Sequence, residues 1–368
     1  MAEDPILVTR PYLPPLAELL PYLEEIWASR WLTNHGPFHQ RFAEALREFL
    51  GAPQVSLTAN GMLALELAIE ASALKGEVIT TPYSFVATTH AVRRSGLKPV
   101  FVDIKRDDLN IDPALIEERI TPETSAIVAV HCYGNPCAGD DLQRIADKHG
   151  LKLIFDAAHA FGVRRHGKAV AVQGDYAIIS FHATKAFNTF EGGAVISGDA
   201  AAKQLIDRYS NFGIADEVTV QAVGGNAKMS EFNAALGLLQ ISHFENARAG
   251  RRLADARYRS ALQSVRGIEM IAIPEGLESN YSYFPVLVTE EYGMSRDALY
   301  EKLKANGVFS RRYFYPLLST LPMYRDLESA APANLPVATR AAEQILCLPI
   351  YHDLGESDQD RIIELVAR

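Results

Sequence analysis

Apolar residues near the start of the chain recur at helical spacing: Leu19, Leu20, Leu23, Ile26 and Trp27. This spacing predicts helix between Arg10 and Leu50. The breaker Asn34-His35-Gly36-Pro37 interrupts it, and a second helix runs from Phe38 to Leu50. From Val55 the rhythm changes to short apolar runs: Val55–Leu57, Val78–Thr80, Val100–Val102, Ala126–Val130, Leu151–Phe155, Ala177–Ser180 and Ala194–Ser197. They show little alternation, so they are expected to be strands covered on both faces. Amphipathic stretches such as Leu63–Ala73 and Asp140–Lys148 separate most of them. Seven such runs with helices between them predict an α/β domain with a mostly parallel seven-stranded sheet.

After about residue 230 the rhythm slows. A long helical stretch, Glu231 to Val265, contains Gly250 but no proline. A strand is expected at Phe284–Val288, a helix at Arg296–Asn306, a strand at Val308–Arg312 and a last helix at Asp358–Val366. This is the pattern of a smaller C-terminal α+β domain. The expected division is 1–245 and 246–368, although one continuous helix could cross that boundary.

Composition narrows the function classes. The 368 residues suit about two domains at roughly 150 residues each. With 48% hydrophobic and 22% charged residues the chain is an ordinary globular one. Its 36 basic and 45 acidic residues leave a net charge of −9, and no long basic run is present, which argues against a nucleic-acid partner. Three cysteines, Cys132, Cys137 and Cys347, make no disulfide framework. The acidic N-terminus lacks the regions of a signal peptide, and no apolar run approaches the ~18 residues of a membrane span. A reduced cytoplasmic setting without membrane partners is expected.

Candidate chemistry lies at strand ends. The run Leu151–Phe155 leads into Asp156, with His159 three residues later. Ligands of open α/β sheets bind at carboxyl strand ends, although an aspartate there could simply cap the next turn. A second run ends at Ser180 and is followed by Lys185 and then Glu191-Gly192-Gly193. Alone, Lys185 fits a solvated surface lysine better than a catalytic one. Together with Asp156 it matches the needs of pyridoxal phosphate, which is held as a Schiff base on lysine with an acidic partner on its pyridinium nitrogen. A third segment, Thr58-Ala-Asn60-Gly61-Met62, leads from a strand into a helix and could cradle phosphate, although Asn-Gly is also an ordinary turn.

These segments resemble the DegT/DnrJ/StrS family of sugar aminotransferases, fold type I pyridoxal-phosphate enzymes. The resemblance rests on Ser180-Phe-His-Ala-Thr-Lys185 with Glu191-Gly-Gly193, Phe155-Asp156-Ala-Ala-His159-Ala, Thr81-Pro-Tyr-Ser84-Phe85-Val-Ala-Thr88 and Gly225-Asn226-Ala-Lys228-Met-Ser-Glu231. Trp31-Leu-Thr-Asn34-His-Gly36-Pro and Arg312-Tyr313-Phe-Tyr315-Pro316-Leu extend it over residues 10–352. It implies that Lys185 carries the cofactor and acts in catalysis with Asp156, which pairs with the pyridine nitrogen. It places His159 near the ring's 3-hydroxyl, Phe85 on the ring face, and Ser180, Gly61 and Met62 around the phosphate. Asn226 joins the cofactor-binding residues from a partner subunit, which implies a homodimer with shared active sites. Asn34, Lys228, Tyr313 and Tyr315 are the implied substrate contacts. Two positions depart from the family pattern: Met62 stands where threonine is usual, and Lys228 where arginine is usual. The first loses a hydroxyl, the second a bidentate fork.

The implied reaction moves an amino group from L-glutamate to a nucleotide-linked keto-sugar. The resemblance is nearest to the branch that forms dTDP-4-amino-4,6-dideoxyglucose from dTDP-4-keto-6-deoxyglucose, and products of this kind feed surface-polysaccharide or glycosylated-metabolite pathways. A 3-keto-sugar acceptor is the alternative; a non-catalytic regulatory protein on the same fold is another, of a different class. Lys185 argues against relatives that carry histidine there and remove a hydroxyl. A metal centre at His131-Cys132 and Cys137 is not expected, because the spacing fits no common zinc pattern. Phe85 could be core, and Tyr313-Phe314-Tyr315 could be packing, although aromatics beside Arg311 and Arg312 suit a nucleotide-sugar lobe.

Overall fold

A computed structural model describes residues 4–368. The chain opens with a short strand, β1 (Ile6–Leu7), and two helices, α1 (Leu16–Ser29) and α2 (Pro37–Leu50). Strands and helices then alternate: β2 (Gln54–Thr58), α3 (Gly61–Ala71), β3 (Glu77–Thr80), α4 (Ala87–Arg94), β4 (Lys98–Phe101), β5 (Thr124–Val130), α5 (Gly139–His149) and β6 (Lys152–Asp156). The small hairpin β7 (Arg164–Arg165) and β8 (Lys168–Ala169) precedes β9 (Tyr176–Ser180) and β10 (Gly193–Ser197). After α6 (Ala200–Tyr209) comes a ribbon, β11 (Ile214–Asp216) and β12 (Thr219–Val220), and then the long α7 (Glu231–Leu262). The remainder is β13 (Ile268–Met270), β14 (Leu277–Glu278), β15 (Phe284–Val288), α8 (Arg296–Ala305), β16 (Val308–Phe309), α9 (Pro336–Gln344), β17 (Ile345–Leu348) and α10 (Glu356–Ala367).

All seven apolar runs join one sheet, in the order β2-β10-β9-β6-β5-β3-β4. Only β10 runs antiparallel to its neighbours. Residues such as Val78, Ile79, Ile127, Val128, Leu153, Ile154 and Phe155 are wholly buried, as expected of strands covered on both faces. Register decides what meets at the sheet's edge. Gly193 lies opposite both Thr58 of β2 and Ser180 of β9, while Asp156 ends β6 beside β9.

Helix starts later than the spacing suggested, at Leu16 rather than Arg10. Pro11, Pro14 and Pro15 explain the delay: each lacks a backbone donor, and each holds the preceding residue out of the helical region. Pro21 is tolerated inside α1. Helices α1 and α2 pack on α7, and the approach is close: a Cβ on Gly237 would stand 2.5 Å from the Phe42 ring. Helix α7 passes without interruption through residue 245 and carries Tyr258 and Leu262 into a second core with Phe284, Val286, Leu299, Leu346, Ile362 and Val366. That core lies on a three-stranded antiparallel sheet, β13-β15-β17. The strand expected at 308–312 is shorter: β16 pairs in parallel with β1, and Arg311 bridges to Cys347. A third apolar cluster joins Tyr83, Phe101 and Tyr133 of the large sheet's loops to Phe314, Leu317, Ile345 and Cys347. Among the described residues no helix is long and apolar enough to cross a membrane.

Candidate active site

Asp156 closes β6 with its side chain 6% exposed. The Thr88 hydroxyl donates to its Oδ2 at 2.8 Å and the Ala158 amide to its Oδ1 at 3.1 Å. Because the Thr88 proton is committed to the carboxylate, Ser84 must be the donor in its 2.9 Å contact with Thr88. Burial pushes the Asp156 pKa above the ordinary value, and the two hydrogen bonds and nearby Lys185 pull it back.

Lys185 follows β9 in a loop folded back on itself, with Phe181 N–H bonded to Gly192 O and Thr189 N–H to Phe181 O. Its Nζ donates to the Tyr283 hydroxyl at 3.3 Å. The stem stays partly accessible, but the amine is hemmed in by protein. Desolvation lowers its pKa to about 8, opposed by the charge of Asp156. The aspartate and the lysine therefore lie within each other's field, one at the end of β6 and the other in the loop that follows the adjoining β9.

Beside them the chain packs so closely that two positions admit only glycine. Gly61 opens α3, and a Cβ there would lie 2.8 Å from the Ser180 Cβ. A Cβ on Gly193 would lie 2.7 Å from the carbonyl of Asn60. Asn60 caps the helix by accepting from Leu63 N–H at 2.9 Å, and the first intrahelical bond begins at Ala64 N–H. The Gly61 and Met62 amides precede that bond, which is the situation in which a helix start attracts an anion.

An aromatic wall completes this part. The His159 ring lies parallel to that of Phe314 at 5.6 Å and edge-on to Tyr283 at 5.0 Å. Its Nδ1 accepts from Tyr133 N–H at 3.3 Å, and burial lowers its pKa well below the ordinary value. The imidazole is therefore neutral, with its proton on Nε2. Tyr313 packs against Tyr283, and the Tyr133 hydroxyl donates to its carbonyl. Phe85, just before α4, exposes 56% of its surface.

The other expected residues have their contacts elsewhere in the chain. Lys228 donates to the Asn211 side chain at 2.6 Å and lies 4.9 Å over the Phe212 ring. Asn226 is exposed and pairs by its backbone with Asn211. Asn34 is exposed with φ 62°, and Tyr315 lies beneath Arg296 and Arg312. His131 and Cys137 form a turn, with His131 Nδ1 accepting from Cys137 N–H at 3.0 Å, and among the described residues no three metal-ligating side chains converge.

The model of the DegT/DnrJ/EryC1/StrS aminotransferase family matches residues 16–367. The chain belongs to that family. This aminotransferase is 52% identical over 367 residues to a dTDP-4-amino-4,6-dideoxy-D-glucose transaminase of Escherichia coli, covering 100% of this chain and 99% of the relative. It is 49% identical over 365 residues to a transaminase of the same name from Shigella dysenteriae, covering 99% of each. Among solved structures, that of DesI in the presence of its TDP-sugar product superposes with a TM-score of 0.94 at 40% identity, covering 99% of this chain and 93% of that one.

Several residues of the aminotransferase site were not singled out from sequence. Thr88 carries no pattern of its own: it lies in the first turn of α4, and its partner Ser84 lies in the bend before that helix. Tyr283 and Tyr133 carry no local signal, since their contacts span 98 and 180 residues. Asn233 donates to Thr189 O at 2.6 Å and Glu191 O at 3.1 Å, and so ties the lysine loop to α7.

Proposed function

We propose that this aminotransferase moves the amino group of L-glutamate to dTDP-4-keto-6-deoxy-D-glucose, giving dTDP-4-amino-4,6-dideoxy-D-glucose, with pyridoxal 5′-phosphate as cofactor. One observation carries the chemistry: a lysine amine with its pKa lowered to about 8, within the field of a buried carboxylate and next to a helix start whose first two amides precede the first intrahelical bond. The named relatives support the choice of acceptor.

The residues fit the cofactor on their own chemistry. The Gly61 and Met62 amides at the start of α3 and the neighbouring Ser180 hydroxyl suit a phosphate. At this helix start a backbone contact survives Met62 in place of threonine. Asp156 suits a protonated ring nitrogen, the neutral His159 a donor to a ring oxygen, and the exposed Phe85 ring a flat partner. When bound, the cofactor supplies an electron sink for the bond broken at the donor's α-carbon.

The chain's own groups then have distinct tasks. Thr88 and the Ala158 amide hold Asp156 in its ionised form, which keeps a proton on the nitrogen opposite it. The Nζ of Lys185, once free, takes the α-proton of the donor and returns it nearby; a pKa of about 8 lets it do both near neutral pH. Tyr283 orients that amine. Tyr313 and Tyr315, with Arg311 and Arg312, would meet the nucleotide-sugar.

Asn34, Asn226 and Lys228 are proposed to act in a neighbouring copy's site, which makes the protein a homodimer. The support is the exposed apolar stretch that two of them touch: Lys228 lies over Phe212 and Asn226 pairs with Asn211, and Phe212, Ile214, Val218, Val220 and Val223 are bare in one chain, Val218 by 90%.

The test is the absorption spectrum of the purified protein with pyridoxal phosphate. A visible band fixed onto Lys185 by borohydride and bleached by L-glutamate is expected, followed by amination of dTDP-4-keto-6-deoxyglucose under ping-pong kinetics. Lys185→Ala should lose all turnover. No band after cofactor addition, or bleaching without turnover on this acceptor while a 3-keto-sugar is aminated, would overturn the reading in whole or in its acceptor.

A further inference from the structure

Helix α2 begins with no cap of its own. Gly36 at its N-cap has no side chain, and Pro37 has no N–H to satisfy. The next two amides, Phe38 and His39, donate to the two oxygens of one carboxylate, Glu231 Oε2 at 2.7 Å and Oε1 at 3.1 Å. Glu231 is the first residue of α7, almost two hundred positions away, and is 1% exposed. Its backbone amide donates to Leu32 O at 3.0 Å. One residue thus grips the loop at both ends, through its main chain at Leu32 and its carboxylate at Phe38 and His39.

The grip needs Gly36. A Cβ at that position would lie 2.6 Å from the Glu231 Cδ, while the backbone at Gly36 is extended and open to any residue (φ −69°). Between the two grips Asn34 and His35 both have positive φ, 62° and 58°, a conformation non-glycine residues hold only when their surroundings impose it. Among the described residues no lysine or arginine bonds the Glu231 carboxylate. The amides and the positive end of the α2 dipole accommodate it instead.

We propose that Glu231 is a positioning residue for the sugar acceptor: it holds the Trp31–Gly36 loop, and with it Asn34, in register with the Asn226–Ser230 segment that leads into the same helix. The proposal rests on the reading of Asn34 and Asn226 as site residues. The two segments, separate in sequence, are one rigid unit through Glu231. A subunit therefore presents Asn34, Asn226 and Lys228 together.

The experiment compares Glu231→Ala, Glu231→Gln, Gly36→Ala and the double variant Gly36→Ala/Glu231→Ala in the cofactor-loaded protein. Glu231→Ala is expected to raise the KM for dTDP-4-keto-6-deoxyglucose roughly tenfold or more, the scale of losing hydrogen bonds to a charged acceptor. Bleaching by glutamate should stay within about twofold of the parent, because the donor step does not use this loop. Gly36→Ala alone should mimic the loss by displacing the carboxylate. The double variant should be no worse than Glu231→Ala, because the clash has gone. Glu231→Gln, which keeps one acceptor, should fall between. A readout independent of turnover uses the two tryptophans: in a Trp27→Phe background the emission of Trp31 reports the loop, and Glu231→Ala and Gly36→Ala should shift it alike even in cofactor-free protein. If the parent aminates no keto-sugar, the functional reading fails while Trp31 still tests the clamp. An unchanged Trp31 signal, additive effects in the double variant, or equal losses in donor and acceptor steps would overturn the proposal. Should Glu231→Ala not fold, Gly36→Ala and Glu231→Gln carry the same comparison.

Discussion

The state of Lys185 can be measured before any acceptor is in hand. A lysine at its ordinary pKa of 10.5 is roughly 0.1% neutral at pH 7.5, whereas one at about 8 is roughly a quarter neutral. The nucleophilic fraction is thus greater by roughly two hundredfold. The assay is the growth of the visible band when cofactor-free protein meets pyridoxal phosphate, from pH 6 to pH 10. Dividing each rate by that of a blocked lysine in the same buffer, after correcting the latter for its own neutral fraction, removes the cofactor's own titration. The midpoint should fall near pH 8. Asp156→Asn removes a charge that favours the ammonium form, so its midpoint should fall lower still. Linkage supplies a second check with a defined sign. The folded-state pKa lies below the unfolded one, so the unfolded chain binds the extra proton between about pH 8 and pH 10.5. Cofactor-free protein should therefore gain stability as pH rises through that window, and Lys185→Met should lose the gain. A midpoint near 10 in the parent, or an upward shift in Asp156→Asn, would refute the desolvation argument.

Three further outcomes are expected. Gly61→Ala should weaken cofactor binding at least tenfold in reconstitution titrations, because its Cβ would stand 2.8 Å from that of Ser180 and push the start of α3 away from β9. Thr88→Val removes the 2.8 Å donor to Asp156 and should cost about 1–3 kcal/mol of cofactor affinity, with a shift of the visible band. Val218→Glu sets a charge on a side chain 90% exposed in one chain; sedimentation should show monomer, and activity should fall with the dimer fraction.

The large sheet was legible because its strands are buried on both faces. An unbroken run such as Ala126–Val130 has one reading when breakers and amphipathic stretches flank it. The small sheet was harder. Ile345–Leu348 follows directly on α9, whose last residue is Gln344, and no turn residue marks where helix becomes strand. The two-residue strands β1 and β16 carry no periodicity at all and exist only through each other. The late start of α1 was legible in principle from Pro11, Pro14 and Pro15, but the apolar spacing beyond them dominated the reading.

The site divides along the same line. Asp156, Ser180, Lys185 and Gly61 follow strand ends, so their convergence could be read from topology, and sheet register then set Gly193 against Ser180 and Thr58. The groups that tune them were hidden because they act across the chain. Tyr283 reaches Lys185 from the small sheet, Tyr133 reaches the Tyr313 loop from the end of β5, and Glu231 reaches α2 from the start of α7. Sequence patterns report a residue's own element, whereas these side chains complete another element's unmet donors or acceptors. A missing local cap is therefore the useful clue. Gly36-Pro37 announces a helix start that cannot cap itself, and a buried acceptor must come from elsewhere. A glutamate at the start of one long helix, gripping the start of another, ties the Trp31–Gly36 loop to the segment that leads into α7.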